Sequence, residues 1–225
     1  MANWPVSDGR VDPRQAIAIQ KEMAGKIVQI GTVSDIFYIA GVDVSFPRGS
    51  DVGIAAAVVL NYPNMEVVEV RRYSDQVAFP YVPGLLSFRE LPLILKAFQA
   101  LRIKPDLVIV DGHGVAHPRR MGLACHFGLY SNLPVIGCAK SRLCGKYREP
   151  DKIKGSREGL VDGEEVIGAV LRTREDVSTV FVSVGNHISL ENAVKWVMST
   201  CLKHRLPEPV RCAHMAATGW PECQA

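Results

Sequence analysis

Three carboxylates in this chain stand where chemistry could be done: Asp43, Glu90 and Asp111. Asp43 interrupts the apolar alternation of Ile39-Ala-Gly-Val-Asp43-Val. A carboxylate there is costly to bury unless it is paired or bound to metal. The plain alternative is a strand residue facing solvent. Asp111 closes the apolar run Leu107-Val-Ile-Val110 and precedes Gly112-His113-Gly114. Ligands of open α/β sheets gather outside the carboxyl ends of the strands, although an Asp between glycines also makes turns. Glu90 lies in Ser87-Phe-Arg-Glu90, which matches a helix capping box. Pro92 argues against that box, because it suits the first helical position better than the fifth, and the Glu90 carboxylate is then available. Three such groups brought together repel one another unless a cation neutralises them. An all-oxygen set favours Mg²⁺ or Mn²⁺ over zinc, and these ions serve phosphoryl transfer.

Other polar residues are less specific. His113 and His117 are four apart, but no Glu follows His113, so the zinc-protease pattern fails. His117 with Arg119 and Arg120 suits phosphates, or a solvated helix start. Residues 138–160 hold seven basic side chains, including Lys140, Lys146, Lys152 and Lys154, against three acidic ones. Such a run is a solvated loop or a track for a phosphate backbone. Phe79-Pro-Tyr-Val-Pro-Gly84 is a stiff loop holding an aromatic between two prolines. It reads as a plug of the core or as a wedge between stacked bases.

The elements that must position these groups follow from periodicity. Ala16, Ile19, Met23, Ile27 and Ile30 predict an amphipathic helix over 14–30. Strands are predicted over 37–46, 52–62 and 65–77, joined closely enough to form an antiparallel meander. A helix is predicted over 91–102, with Pro92 in its first turn. Apolar strands at 107–110 and 134–139 flank a crossover, so they should be parallel; Pro118 suits the first turn of the helix between them. A further strand pair is predicted over 164–172 and 179–184. A helix starting at Ser189 is stopped by Pro207 and Pro209. The expected fold class is α/β: a mixed sheet, antiparallel meander first and parallel strands second, flanked by helices.

Composition sets outer limits. With 225 residues, 48% of them hydrophobic and 22% charged, the chain is an average globular protein. We expect a loose N-terminal arm over 1–12 and a single domain over 13–225. The net charge of +3 excludes a histone-like protein and does not by itself indicate nucleic acid. No apolar run approaches the roughly 20 residues of a membrane helix, and the first residues lack the features of a secretory signal. Six cysteines include no C-x-x-C pair, and read as reduced thiols of a cytoplasmic protein.

Long segments of the chain resemble the endonuclease V family. These are Ile39-Ala-Gly-Val-Asp43-Val, Pro80-Tyr-Val-Pro-Gly84-Leu-Leu-Ser-Phe-Arg-Glu90, and Asp106 through Asp111-Gly-His-Gly-Val-Ala-His117-Pro-Arg-Arg120. Lys140-Ser-Arg-Leu-Cys-Gly145-Lys, Gly185-Asn-His-Ile-Ser and Arg205-Leu-Pro-Glu-Pro-Val-Arg211 also match. The resemblance implies an RNase H-like fold and Mg²⁺-dependent hydrolysis, with Mn²⁺ able to substitute. It implies a DNA-repair role: recognition of deoxyinosine in DNA, with the cut one nucleotide 3′ of the lesion. Asp43, Glu90 and Asp111 match the family's metal-binding acids, and His214 occupies a fourth position, contacting metal directly or through water. Lys140 matches a lysine near the scissile phosphate. Pro80, Tyr81, Val82 and Pro83 match a wedge that fills the gap left by an extruded base. Gly84, Leu86, Gly112 and Gly114 match the pocket for that base, and Arg89 and His117 match phosphate contacts. Single-stranded DNA or RNA are further candidate partners, and a monomer is expected. The competing functions are an endonuclease acting mainly on inosine-containing RNA, and a lesion-binding module that does not cleave.

Overall fold

The computed structural model of this protein describes residues 12–219. The expected arm at 1–12 therefore lies outside the described residues except for Asp12. That residue caps the first helix, α1 (Pro13–Ala24), in a reciprocal capping box with Gln15. Helix α1 ends at Gly25, earlier than the periodicity to Ile30 predicts. Ile30 is exposed, so the repeat of apolar residues past Gly25 is not a buried helical face.

The meander forms as expected: β1 (Tyr38–Ser45), β2 (Val52–Asn61) and β3 (Val67–Gln76) pair antiparallel. Helix α2 (Leu86–Gln99) follows, then β4 (Leu107–Val110), α3 (Leu123–Ser131) and β5 (Val135–Ala139). β4 is parallel to both β1 and β5, as the crossover requires. β6 (Arg157–Asp162), β7 (Glu165–Leu171) and β8 (Val180–Asn186) form a second antiparallel meander, and α4 (Leu190–Thr200) and α5 (Glu208–Thr218) complete the described chain. The eight strands make one sheet in the order β3-β2-β1-β4-β5-β8-β7-β6.

Period-two alternation sends the strand side chains to two faces. Ala40, Val42, Val108 and Val110 pack with Leu91, Ile94 and Phe127 of α2 and α3. Ile39, Ile109 and Ile136 pack with Val194 and Val197 of α4 and with Val210 and Ala213 of α5. The sheet is thus covered on both sides, which suits its continuous apolar central strands.

Four expectations fail for local reasons. α2 begins at Leu86 and holds Pro92 in its interior, so Pro92 does not start the helix, and Ser87 is not its cap. An interior proline costs about 3 kcal/mol or more. Burial of Leu91, Leu93 and Ile94 offsets that, at roughly 1.5–3 kcal/mol each. Pro118 lies in the loop before α3, not in its first turn. β6 arises inside the supposed basic loop; it is an edge strand with only Leu160 fully buried. Pro207 and Pro209 do not merely stop α4. They cap and open α5, where the missing proline N–H groups are not needed.

Candidate active site

Parallel pairing puts two carboxylates side by side. The register places Val42 opposite Val110, so Asp43, still within β1, and Asp111, just past β4, are the next residues on adjacent strands. The Asp111 N–H donates to the Val42 carbonyl at 3.3 Å. Helix α5 reaches this edge because Gly41 has no side chain: a Cβ there would lie 1.9 Å from the Pro209 carbonyl oxygen. From Pro209 to His214 the helix rises roughly 7.5 Å, and from Gly41 to Asp43 the strand advances about 6.6 Å. The matched rises set His214 beside Asp43, with Nδ1 2.8 Å from the carboxylate. One ligand atom from each of Asp43, Asp111 and His214 lies within 4.8 Å of the others.

Charge accumulates there. Burial, then repulsion from Asp111, pushes Asp43 up to about 6, against the hydrogen bonds from His214 and Val44. Glu90, on α2, is not one of the three clustered ligands, yet it feels both aspartates. Burial and then the charges of Asp43 and Asp111 push it up to about 8, against Arg89. Lys140, one residue past β5, places Nζ 2.5 Å from Asp111 Oδ2. Hard oxygen donors within reach of one another and short of positive charge fit a divalent cation, and the imidazole offers a further ligand atom.

A cavity of about 260 Å³ opens against this cluster. Its lining includes Gly84, Leu86, Glu90, Asp111, Gly112 and Leu143. Gly114 does not line it. A Cβ at Gly114 would meet the Val184 carbonyl at 1.9 Å, so that glycine serves the contact with β8. The stiff loop divides the two roles considered for it. Phe79 is buried against Phe88, Leu85 and Ala16, whereas Tyr81 is 70% exposed, three residues before the cavity-lining Gly84. Pro80 and Pro83 are exposed and Val82 is half-buried.

The two side chains expected on phosphates are engaged inside the protein. The Arg89 guanidinium donates to the Phe79 carbonyl at 2.8 Å and lies 4.4 Å from the centre of the Phe46 ring. His117 is buried. Its Nδ1 accepts from the Arg119 N–H, which leaves Nε2 to donate to the Gly84 carbonyl at 2.9 Å. Burial pushes the imidazole down to about 4, so it is neutral. Arg120 is held by Glu165 and Asp162. In the basic run, Lys152 pairs with Asp176 and Arg157 with Glu191.

Sequence reasoning missed Gln20, Met121 and the Ser141–Leu143 stretch as parts of the cavity. Gln20 carries no motif, and its only signal is a polar residue that ends up buried on an amphipathic helix.

Strand order, flanking helices and an acidic cluster at the ends of the central parallel strands define an RNase H-like α/β protein. The family model for endonuclease V matches residues 21–215. This chain belongs to the endonuclease V family, and hence to a family of nucleases. It is 50% identical over 215 residues to the endonuclease V of Dehalococcoides mccartyi strain BAV1, covering 96% of this chain and 94% of the relative. The solved endonuclease V of Streptomyces avermitilis is 39% identical with a TM-score of 0.90, covering 95% of this chain and 94% of that one. The endonuclease V of Ciona intestinalis is 28% identical with a TM-score of 0.82, covering 93% and 98%. It was solved with a 23mer DNA containing an inosine followed by a ribo-adenosine.

Among the described residues, no helix is long and apolar enough to cross a membrane. Cys125, Cys138, Cys144 and Cys201 are free thiols.

Proposed function

We propose that this protein is a Mg²⁺-dependent endonuclease that recognises deoxyinosine, the product of adenine deamination, and cuts the strand one nucleotide to its 3′ side. The observation that carries this reading is that Asp111 belongs both to the acidic cluster and to the lining of the 260 Å³ cavity, where Glu90 also lies within the field of the two aspartates. A base held in the cavity would keep its own strand within reach of the cluster. The volume is below the roughly 300–1,000 Å³ of sites for drug-sized ligands, so the cavity suits a small ligand such as one base.

Asp43, Asp111 and His214, with Glu90 adjacent, would hold the cation. When bound, it would neutralise the carboxylates, help ionise an attacking water and stabilise the leaving oxygen. Lys140, oriented by Asp111, would offset charge developing on the phosphate. Tyr81 would fill the space left by the extruded base, its loop braced by Arg89 at Phe79 and by the packing of Phe79 on Phe88. Gly84, Leu86 and Gly112 would line the base closely. Hypoxanthine lacks the 2-amino group of guanine, so a close lining admits the first and excludes the second.

The ribo-adenosine beside the inosine in the Ciona complex favours a second reading, cleavage of inosine-containing RNA, since a 2′-hydroxyl is tolerated next to the lesion there. The test is cleavage of matched DNA and RNA oligonucleotides carrying one inosine, with Mg²⁺ and with EDTA. We expect a single cut 3′ of inosine in DNA, abolished by EDTA. Cutting that persists in EDTA removes the metal assignment, and cutting confined to RNA selects the second reading.

A further inference from the structure

One carbonyl oxygen beside the cavity accepts three hydrogen bonds. Gly84 O receives Gln20 Nε2 at 3.0 Å, His117 Nε2 at 2.9 Å and Arg119 Nη2 at 2.7 Å. A carbonyl offers two lone pairs, so this oxygen is saturated. Gly84 itself adopts φ +77°, a conformation that other residues resist. It stands directly between the Pro80–Pro83 loop and α2 and lines the cavity.

Gln20 is the hub. Its residue is 1% exposed. The amide NH₂ donates to both Gly84 O and Met121 O at 3.0 Å, while Oε1 accepts from Arg119 Nε at 2.5 Å. Two carbonyls on one side and a guanidinium on the other fix which way the amide points. The helix that carries it is dedicated to the same segment: Ala16, Ile17 and Ile19 pack with Phe79, Val82, Leu85 and Phe88. Helix α1 thus splints the root of the stiff loop and the wall of the cavity, with apolar contacts beneath and a polar pin at Gln20. Gln20 also lies just before the stretch that the family model matches.

We infer that Gln20 and Arg119 are positioning residues for base selectivity: by locking the Gly84 peptide they set the fit of the cavity wall to inosine. This rests on the proposed function, because it assigns the cavity to the base. A wall one carbonyl can swing out of is a poor judge of a single exocyclic group. A wall pinned from three sides holds its shape against the wrong base.

The test uses the full chain and two labelled duplexes that are identical except for inosine or adenosine at one position. Binding is measured by fluorescence anisotropy in EDTA, well below the melting temperature. Gln20→Met keeps the length and removes both donors and the acceptor. We expect the ratio of inosine to adenosine affinity to fall about tenfold, with adenosine-duplex affinity changed less than twofold. Arg119→Lys, at a half-exposed position, should lower the ratio in the same direction, and serves alone if Gln20→Met does not fold. A merely structural role lowers the melting temperature and leaves the ratio alone. A ratio within twofold of wild type in folded protein overturns the inference. A wild-type chain with no preference for inosine overturns the proposed function itself.

Discussion

The acidic cluster and the cavity wall meet at the carboxyl end of central strand β4 and are built on opposite terms. At the cluster, Asp43 and Glu90 are held above the ordinary carboxylate range because burial and carboxylate repulsion outweigh the hydrogen bonds to Asp43 and the Arg89 charge near Glu90. At the wall, Gly84, Gln20 and His117 have their polar atoms matched by protein partners. One region leaves its carboxylates short of positive charge even with Lys140 on Asp111 and His214 on Asp43, as the proposed cation site requires. The other is satisfied in advance, so that under the proposed function a neutral, flat base meets a fixed shape. Electrostatic strain and rigidity are thus segregated into neighbouring but separate groups of residues.

The largest test of that division is Asp111→Ala. We expect cleavage of inosine DNA to fall on the order of 10³-fold or more, with inosine-dependent binding retained. Binding lost in parallel with cleavage would erase the distinction between the two regions. Next is Gly41→Ala, which drives a methyl into the Pro209 carbonyl. Such overpacking costs about 1–3 kcal/mol or more. Denaturant unfolding should show that loss, and cleavage should drop because α5 carries His214 away from Asp43. Unchanged stability would mean that α5 adjusts freely and that its docking does not set the cluster.

Tyr81→Ala probes the wall side. Loss of a stacking aromatic costs roughly 1–3 kcal/mol, so inosine binding should weaken about tenfold, while the single-turnover rate at saturating enzyme changes less. Equal losses in both would place Tyr81 with the cluster instead.

Behind the wall, His126 is buried with Nδ1 3.0 Å from the Ser87 hydroxyl, and burial pushes it down to about 3 from an ordinary 6.5. The unfolded chain therefore takes up this proton first as the solution is acidified. The His126 contribution is complete above pH 6.5 and declines towards pH 3 by about 1.4 kcal/mol per unit. Urea unfolding of wild type and His126→Gln across that range should show the wild-type advantage shrinking with acid; a constant difference would mean His126 is charged in the fold.

The smallest effect is expected from replacing Lys146, Lys152 and Lys154 together by Ala. The salt dependence of DNA binding should flatten by one to two units, at roughly 0.9 per phosphate contact. Lys152 already pairs with Asp176, which limits its share. An unchanged slope returns this stretch to ordinary solvated surface.

Much of this architecture was legible from periodicity alone. The alternation at 37–46 and the solid apolar runs at 107–110 and 134–139 can be satisfied only by strands covered on one or both faces. Asp111 announced itself by ending such a run. Other features were hidden because they break local rules for tertiary reasons. Pro92 sits inside α2 because the helix buries enough apolar surface to tolerate it. Edge strand β6 lacks an apolar pattern because one edge and much of its surface face water. α5 was masked by prolines that mark its beginning. The partners of Gln20 are 64 to 101 residues away, a distance no local pattern reports.

α5 is the last described helix, yet it supplies His214 and covers the face of β1 that bears Asp43. During synthesis the chain emerges N-terminus first. The carboxylates of β1, α2 and β4 are all made well before their imidazole partner. The proposed ligand set is therefore complete only once α5 has been made, and a nascent or truncated chain that stops before residue 208 lacks the imidazole beside Asp43.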